Sequence, residues 1–210
     1  MEIRNRLHID LRPGQNLFFT SDLHFGHRNV LKFCNRPWED EKQMSKGLIE
    51  NWNKIVTNND IVVSLGDFSW WDSNTEIKKL LSQLSGEKIY LVPGNHDTDK
   101  GYRELPERVE LLGSVVQVWI SGLWADKPNK SLEVTLCHYP LATWPHKHNG
   151  ALQFFGHIHS GMNTEHSVDI VGEDLNIVKS QQVDVGCDNW GYYPVEIKNL
   201  IGYLENFKVA

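Results

Sequence analysis

The sequence predicts a mixed α/β fold, and three observations carry that prediction. Short apolar runs of strand length recur along the 210 residues. In the first half they alternate with segments of helical period, which implies parallel strands joined by right-handed crossovers. In the second half strand-length runs predominate, and one pair of them reads as a hairpin.

Residues 2–11 open the chain with a loose alternation of Ile3, Leu7, Ile9 and Leu11, closed by Pro13-Gly14. Leu17-Phe18-Phe19-Thr20 is a buried strand that stops at Ser21-Asp22-Leu23-His24-Phe25-Gly26-His27, and a short helix at 29–34 follows. Over 40–57, Met44, Leu48, Ile49, Trp52, Ile55 and Val56 make one apolar stripe at helical spacing, with Asp40 suited to the first turn. Asn58-Asn59-Asp60 breaks that helix, and Ile61 to Leu65 is the next buried strand, ending at Gly66-Asp67. Ile77, Leu80, Leu81 and Leu84 mark an amphipathic helix ended by Gly86.

The strand at 88–92 leads to Gly94-Asn95-His96-Asp97. Further strands are expected at 115–120, 132–137, 151–155 and 182–185, and a hairpin at 168–178 around Gly172-Glu173-Asp174. A helix over 195–206 follows Pro194. No repeat, low-complexity segment or linker interrupts the chain, so residues 1–210 read as one domain, burying roughly 70% of the unfolded surface.

Composition narrows the function classes. The formal charge is −6, with lysines and arginines scattered, which argues against long duplex nucleic acid but not against a small phosphate-ester or nucleotide substrate. Three cysteines lie far apart with no CxxC pair, the pattern of reduced thiols in a cytoplasmic protein. No stretch reaches membrane-spanning length, so no membrane partner is expected. Oligomeric state has no signature here.

Chemistry gathers at five strand ends. Asp22 and His24, then Asp67, then Asn95 with His96, then His138, then His157 and His159 each follow an apolar run. Residues two apart in a strand point to the same side, so Asp22 with His24 and His157 with His159 can each aim two side chains into one site. In layered α/β sheets, ligands bind beyond the carboxyl ends of strands. Any one of these residues alone is more often a turn former or a satisfied histidine; all five clusters together point to a site. Carboxylate, imidazole and amide oxygen donors suit Mn²⁺, Fe or Zn²⁺, and the lack of cysteine argues against a structural thiolate zinc. The seven side chains other than His96 are too many for one ion with an open position and right for two ions sharing a carboxylate.

The order D-x-H, GD, GNHD, a strand-ending His and then GHxH resembles the calcineurin-like metallophosphoesterase superfamily. With Thr20-Ser21 ahead and Arg36-Pro37 beyond, the text is similar to a small bacterial and phage-type branch of it. The resemblance spans Asp22 to His159 and implies a sandwich of two mixed sheets flanked by helices. It assigns one metal to Asp22, His24, Asp67 and His159, and the other to Asp67, Asn95, His138 and His157. Two divalent ions are implied, Mn²⁺ foremost, with Fe, Zn²⁺ and Ni²⁺ also compatible. The implied reaction is hydrolysis of a phosphodiester or phosphomonoester by a metal-bridging hydroxide, with His96 as general acid or phosphate contact and Asp97 orienting its ring.

His27 and Arg28 are candidate phosphate contacts, with helix capping the competing role for His27. Trp70 and Trp71 follow Gly66-Asp67-Phe68-Ser69 and either stack on a nucleobase or pack under the next helix. His146 and His148 lie on a loop read as solvated, His8 and His166 read as surface residues, and Cys137 reads as core. A catalytically silent scaffold on the same fold is the alternative of another class, and retention of His96 beside all seven ligands argues against it. A nuclease or a protein phosphatase is the alternative within enzymes.

Overall fold

The structure is a computed structural model that describes residues 4–159 and 181–207. The expected hairpin at 168–178, together with His166, lies outside the described residues. The elements run β1 (Arg4–Asp10), β2 (Leu17–Thr20), α1 (Val30–Phe33), α2 (Glu41–Ile55), β3 (Ile61–Ser64), α3 (Asn74–Leu81), β4 (Lys88–Leu91), β5 (Val109–Ser121) and β6 (Leu132–Cys137). They continue with β7 (Leu152–Phe155), β8 (Gln182–Asp184), β9 (Val195–Glu196) and α4 (Ile197–Phe207).

One curled sheet runs β8-β7-β6-β5-β4-β3-β2-β9, with β1 added alongside β5. The pairs β2–β3, β3–β4 and β4–β5 are parallel, as the strand–helix alternation predicts. The long β5 serves both halves. Its start pairs with β4 through Val109 to Leu111, and its remainder pairs antiparallel with β6 and parallel with β1. The sequence placed this strand only at 115–120. The structure extends it back to Val109, and the β1–β5 register shifts between Leu112 and Gln117, where β5 passes from one half to the other.

Period-two alternation then sorts the side chains. Leu17 and Phe19 of β2 face a core shared with Val134 and Leu136 of β6 and Phe154 of β7. Phe19 meets Phe154 edge-on at 4.9 Å, so the two halves of the sheet face one another. Phe18, Val62, Ile89 and Leu91 point the other way, into a second cluster with Met44, Leu48 and Trp52 of α2 and Ile77, Leu80 and Leu81 of α3. These layers match the sandwich that the resemblance implied, with its two sheets joined through β5 into one curled sheet. Asp40 caps α2 by accepting from the N–H groups of Lys42 and Gln43 at 3.0 and 2.8 Å.

One boundary differs. Val195–Glu196 pairs antiparallel with the free edge of β2, and the last helix begins at Ile197. No helix among the described residues is long and apolar enough to cross a membrane.

Candidate functional site

The five polar clusters meet where the sheet halves converge. Among the described residues, three groups of ligand-type atoms each lie within 4.8 Å of one another. Two hold nominated ligands throughout, Asp22, His24 and His159, and Asp67, His138 and His157; the third is Cys34, His159 and Asp188. Asp67 Oδ2 stands between the first two, 3.5 Å from His24 Nε2 and 3.4 Å from His138 Nε2. Asn95 Oδ1 is 3.1 Å from the same His138 nitrogen. All seven residues that the sequence nominated as ligands are therefore neighbours.

The loops that carry them are strained in a consistent way. Asp22, His24, Asp67, His157 and His159 all adopt φ between 49° and 74°, the left-handed region that side chains other than glycine's normally avoid. Backbone bonds over-determine these turns: Asp22 N–H donates to Gly66 O at 3.0 Å, and His24 N–H to Asp67 O at 2.8 Å. Both oxygens of Asp22 accept from His157 N–H, at 3.0 and 2.9 Å. Two glycines allow the close approach. A Cβ on Gly94 would lie 2.5 Å from the Asp67 nitrogen, and one on Gly156 would lie 2.6 Å from Ser21 Cβ.

The donor set fits divalent cations. His24 Nε2 is buried with no hydrogen-bond partner. Burial pushes the His24 imidazole down to about 2, so it is neutral at physiological pH and has a lone pair to give. Asp67 is ionised: burial pushes its carboxyl up, but the hydrogen bond and charge of His138 win and hold it at about 2. His138 Nδ1 lies 2.7 Å from the carbonyl of Leu65, which takes its proton and leaves Nε2 facing Asn95 and Asp67. Burial opposes charge on His138, but Asp67 foremost, then Asp22, raise it, so a cation at Nε2 has to displace a proton there too. His159 is oriented in the same way, its Nδ1 2.9 Å from Asp188 Oδ2 and its Nε2 toward Asp22 at 3.9 Å. Burial opposes charge on His159, but Asp188 foremost, then Cys34 and Asp22, raise it to about 10, so a cation at Nε2 has to displace a proton.

His96 stands over this cluster. Its side chain is 38% exposed, and its Nε2 is 4.0 Å from Asp67 Oδ2. Its backbone N–H donates to Asp67 Oδ1 at 2.9 Å. Asp97 does not orient the His96 ring. Its Oδ2 accepts from Gly94 N–H at 2.8 Å, and its Oδ1 accepts from Phe68 N–H at 3.1 Å and from the Tyr102 hydroxyl. Asp97 thus ties the Asp67 loop to the Gly94 loop and acts through backbone position.

The nominated substrate contacts divide. His27 is nearly buried, with its Nδ1 3.3 Å from His24 Nδ1 and its ring flat against Trp70 at 3.9 Å. It therefore backs the His24 ring, a position the sequence did not show. Trp70 is at the rim, 5.1 Å from the His96 ring. Trp71 turns away: its indole occupies the space above Gly26 and packs on the helix-side core, lining a groove of about 670 Å³ between α2 and α3. The packing role holds for Trp71. Arg28 is exposed and makes no hydrogen bond or ion pair among the described residues. His146 is exposed and pairs with Glu133 at 2.8 Å, and Cys137 is buried.

Sequence reasoning missed the support behind the first group. Buried Arg36 holds Asp188 through two contacts of 2.8 Å and donates to the carbonyls of Asp22 and Leu23 at 2.6 and 2.9 Å. One guanidinium thus links the first ligand loop to the partner of His159. The strand Gln182–Asp184 was itself expected, and Asp188 follows it in the turn Cys187–Trp190. Asp184 ends that strand, buried, its Oδ2 unpartnered, its carboxyl pushed up to about 7 by burial and the charge of Asp22. Asp188→Asn is expected to weaken divalent-cation binding about 10–100-fold, as loss of a partner behind a ligand does. An unchanged dissociation constant for Mn²⁺ would remove Asp188 from this role.

A model of the calcineurin-like phosphoesterase family matches residues 16–161, which contain every residue of the first two groups. The chain belongs to that family. Membership implies metal-dependent hydrolysis of phosphoric esters. The uncharacterized protein MJ1445 of Methanocaldococcus jannaschii is 40% identical over 84 residues, covering 40% of this chain and 47% of that protein, about half its length. The Gene 66 protein of Mycobacterium phage L5 is 27% identical over 84% of this chain and 88% of its own. Its counterpart in Mycobacterium phage D29 is 27% identical over 90% and 98%. The crystal structure of a protein of unknown function, AQ665 from Aquifex aeolicus, superposes with a TM-score of 0.65 at 23% identity, covering 90% of this chain and all of that one. That likeness supports the shared fold.

Proposed function

We propose that this calcineurin-like phosphoesterase uses two divalent ions to hydrolyse a small phosphodiester or phosphomonoester. The observation that carries the reading is Asp67 Oδ2 placed within 3.5 Å of one imidazole from each of the first two groups. Asp22, His24, Asp67 and His159 would hold one ion, and Asp67, Asn95, His138 and His157 the other. Mn²⁺ is the first choice for so mixed a set of hard and borderline donors. Such a pair supplies a nucleophile at neutral pH and charge to offset that on the phosphoryl oxygens.

The chain's own residues do the remainder. His96, half-open beside Asp67, reaches the leaving oxygen and gives it a proton. Asp97 and Gly94 fix the loop that carries His96, and Arg36 with Asp188 fix His159. Scattered positive charge favours a small substrate over long duplexes, and the free cysteines support a reducing, cytoplasmic setting.

Hydrolysis of bis-p-nitrophenyl phosphate and p-nitrophenyl phosphate by Mn²⁺-loaded protein tests the reading. Turnover of either ester that chelator abolishes and Mn²⁺ restores is the expected result. Metal-independent turnover, or none of either ester with two ions bound, contradicts it.

A further inference from the structure

Four large apolar side chains are conspicuously exposed among the described residues, and two of them stand at this site: Trp70 at 48% and Tyr139 at 43%. They belong to different halves of it. Trp70 follows β3 and leans on His27 and His96, the first of which backs His24. Tyr139 follows β6 and meets His157 and His138 edge-on at 4.6 and 5.1 Å, with its hydroxyl 3.4 Å from Asn95 Oδ1. One indole face of Trp70 is covered by His27, with 7° between the planes, so its exposure belongs to the other face.

Folding does not explain either ring, since neither joins a core cluster. Exposed aromatic faces lose free energy in water and gain it by stacking on planar groups, whatever the base. A phosphorus atom placed over Asp67 has one such ring toward each half of the site. A monoester occupies only one of them.

Resting on the phosphoesterase reading above, we propose that Trp70 and Tyr139 form a two-sided clamp for a phosphodiester carrying a nucleobase on each side. A dinucleoside monophosphate is its minimal form. Trp70 stacks on one base and Tyr139 on the other, which positions the bridging phosphate between the two ligand groups. A short substrate suits the net charge of −6, because two stacked bases provide affinity without many phosphate contacts.

The test compares wild type, Trp70→Ala, Tyr139→Ala and Tyr139→Phe on dithymidine monophosphate and on thymidine methyl phosphate, which has one base. Both exposed positions tolerate alanine without loss of core contacts. Each alanine variant is expected to raise KM for the dinucleotide roughly 5- to 150-fold, the range for one stacked base. Only one of them should raise KM that far for the one-base ester. Tyr139→Phe, which keeps the ring, should restore the low KM. Calorimetric binding of a hydrolysis-resistant methylphosphonate-linked dithymidine should weaken in parallel in both alanine variants.

Equal KM values for the two esters in wild type, or a Tyr139→Phe protein as impaired as Tyr139→Ala, would overturn the clamp. If wild type turns over bis-p-nitrophenyl phosphate and the alanine variants bind dithymidine like wild type, the clamp falls and the phosphoesterase reading stands. If wild type hydrolyses no ester at all, both fall together.

Discussion

Asp67→Asn is expected to remove both ions at once while leaving the fold in place. Asp67 stands between the two groups: its Oδ2 faces His24 and His138 at 3.5 and 3.4 Å, while its Oδ1 accepts from His96 N–H at 2.9 Å. Asparagine keeps the shape and tolerates the φ of 49°, so the turn and its bond from His24 N–H to the residue 67 carbonyl survive. The negative charge between the two groups is lost, and an amide N–H₂ cannot replace it at both. Metal analysis should fall from two equivalents to less than one. Activity should drop by three decades or more, because two-ion charge stabilisation is worth several kcal/mol and each decade is about 1.4 kcal/mol. An asparagine variant that still binds two equivalents would show that Asp67 bridges nothing.

His96→Ala separates chemistry from metal binding. The side chain is 38% exposed and packs into no core, and its backbone N–H to Asp67 survives the substitution. Stability and metal content should therefore stay near wild type. Turnover should fall about 10²–10⁴-fold, the span of positioned acid–base groups. The loss should be largest for esters with poor leaving groups, since p-nitrophenolate needs little protonation. An equal loss for good and poor leaving groups would make His96 a phosphate contact and not a proton donor.

How much of this was written in the chain depends on sequence distance. Asp22, His24, Asp67, Asn95, His138, His157 and His159 were legible because each ends an apolar run, and parallel strands bring their carboxyl ends to one edge. The extended β5 was not, because its inside–outside alternation breaks between Leu112 and Val115, where the strand changes partners. The strand at Val195 was hidden by the helical stripe beyond it, and only the free edge of β2 draws it out. Arg36 and Asp188 are 152 positions apart, and no local pattern announces an ion pair of that span. Adjacent Trp70 and Trp71 look alike in sequence but diverge, since Gly26 leaves room for the second indole and none is left for the first.

The most direct measurement is turnover of bis-p-nitrophenyl phosphate as Mn²⁺ is added back, equivalent by equivalent, to metal-stripped protein. Activity that stays low through the first equivalent and rises to its full value with the second is the result that two ligand groups sharing Asp67 require. Full activity at one equivalent, or activity indifferent to added metal, would contradict a dinuclear centre.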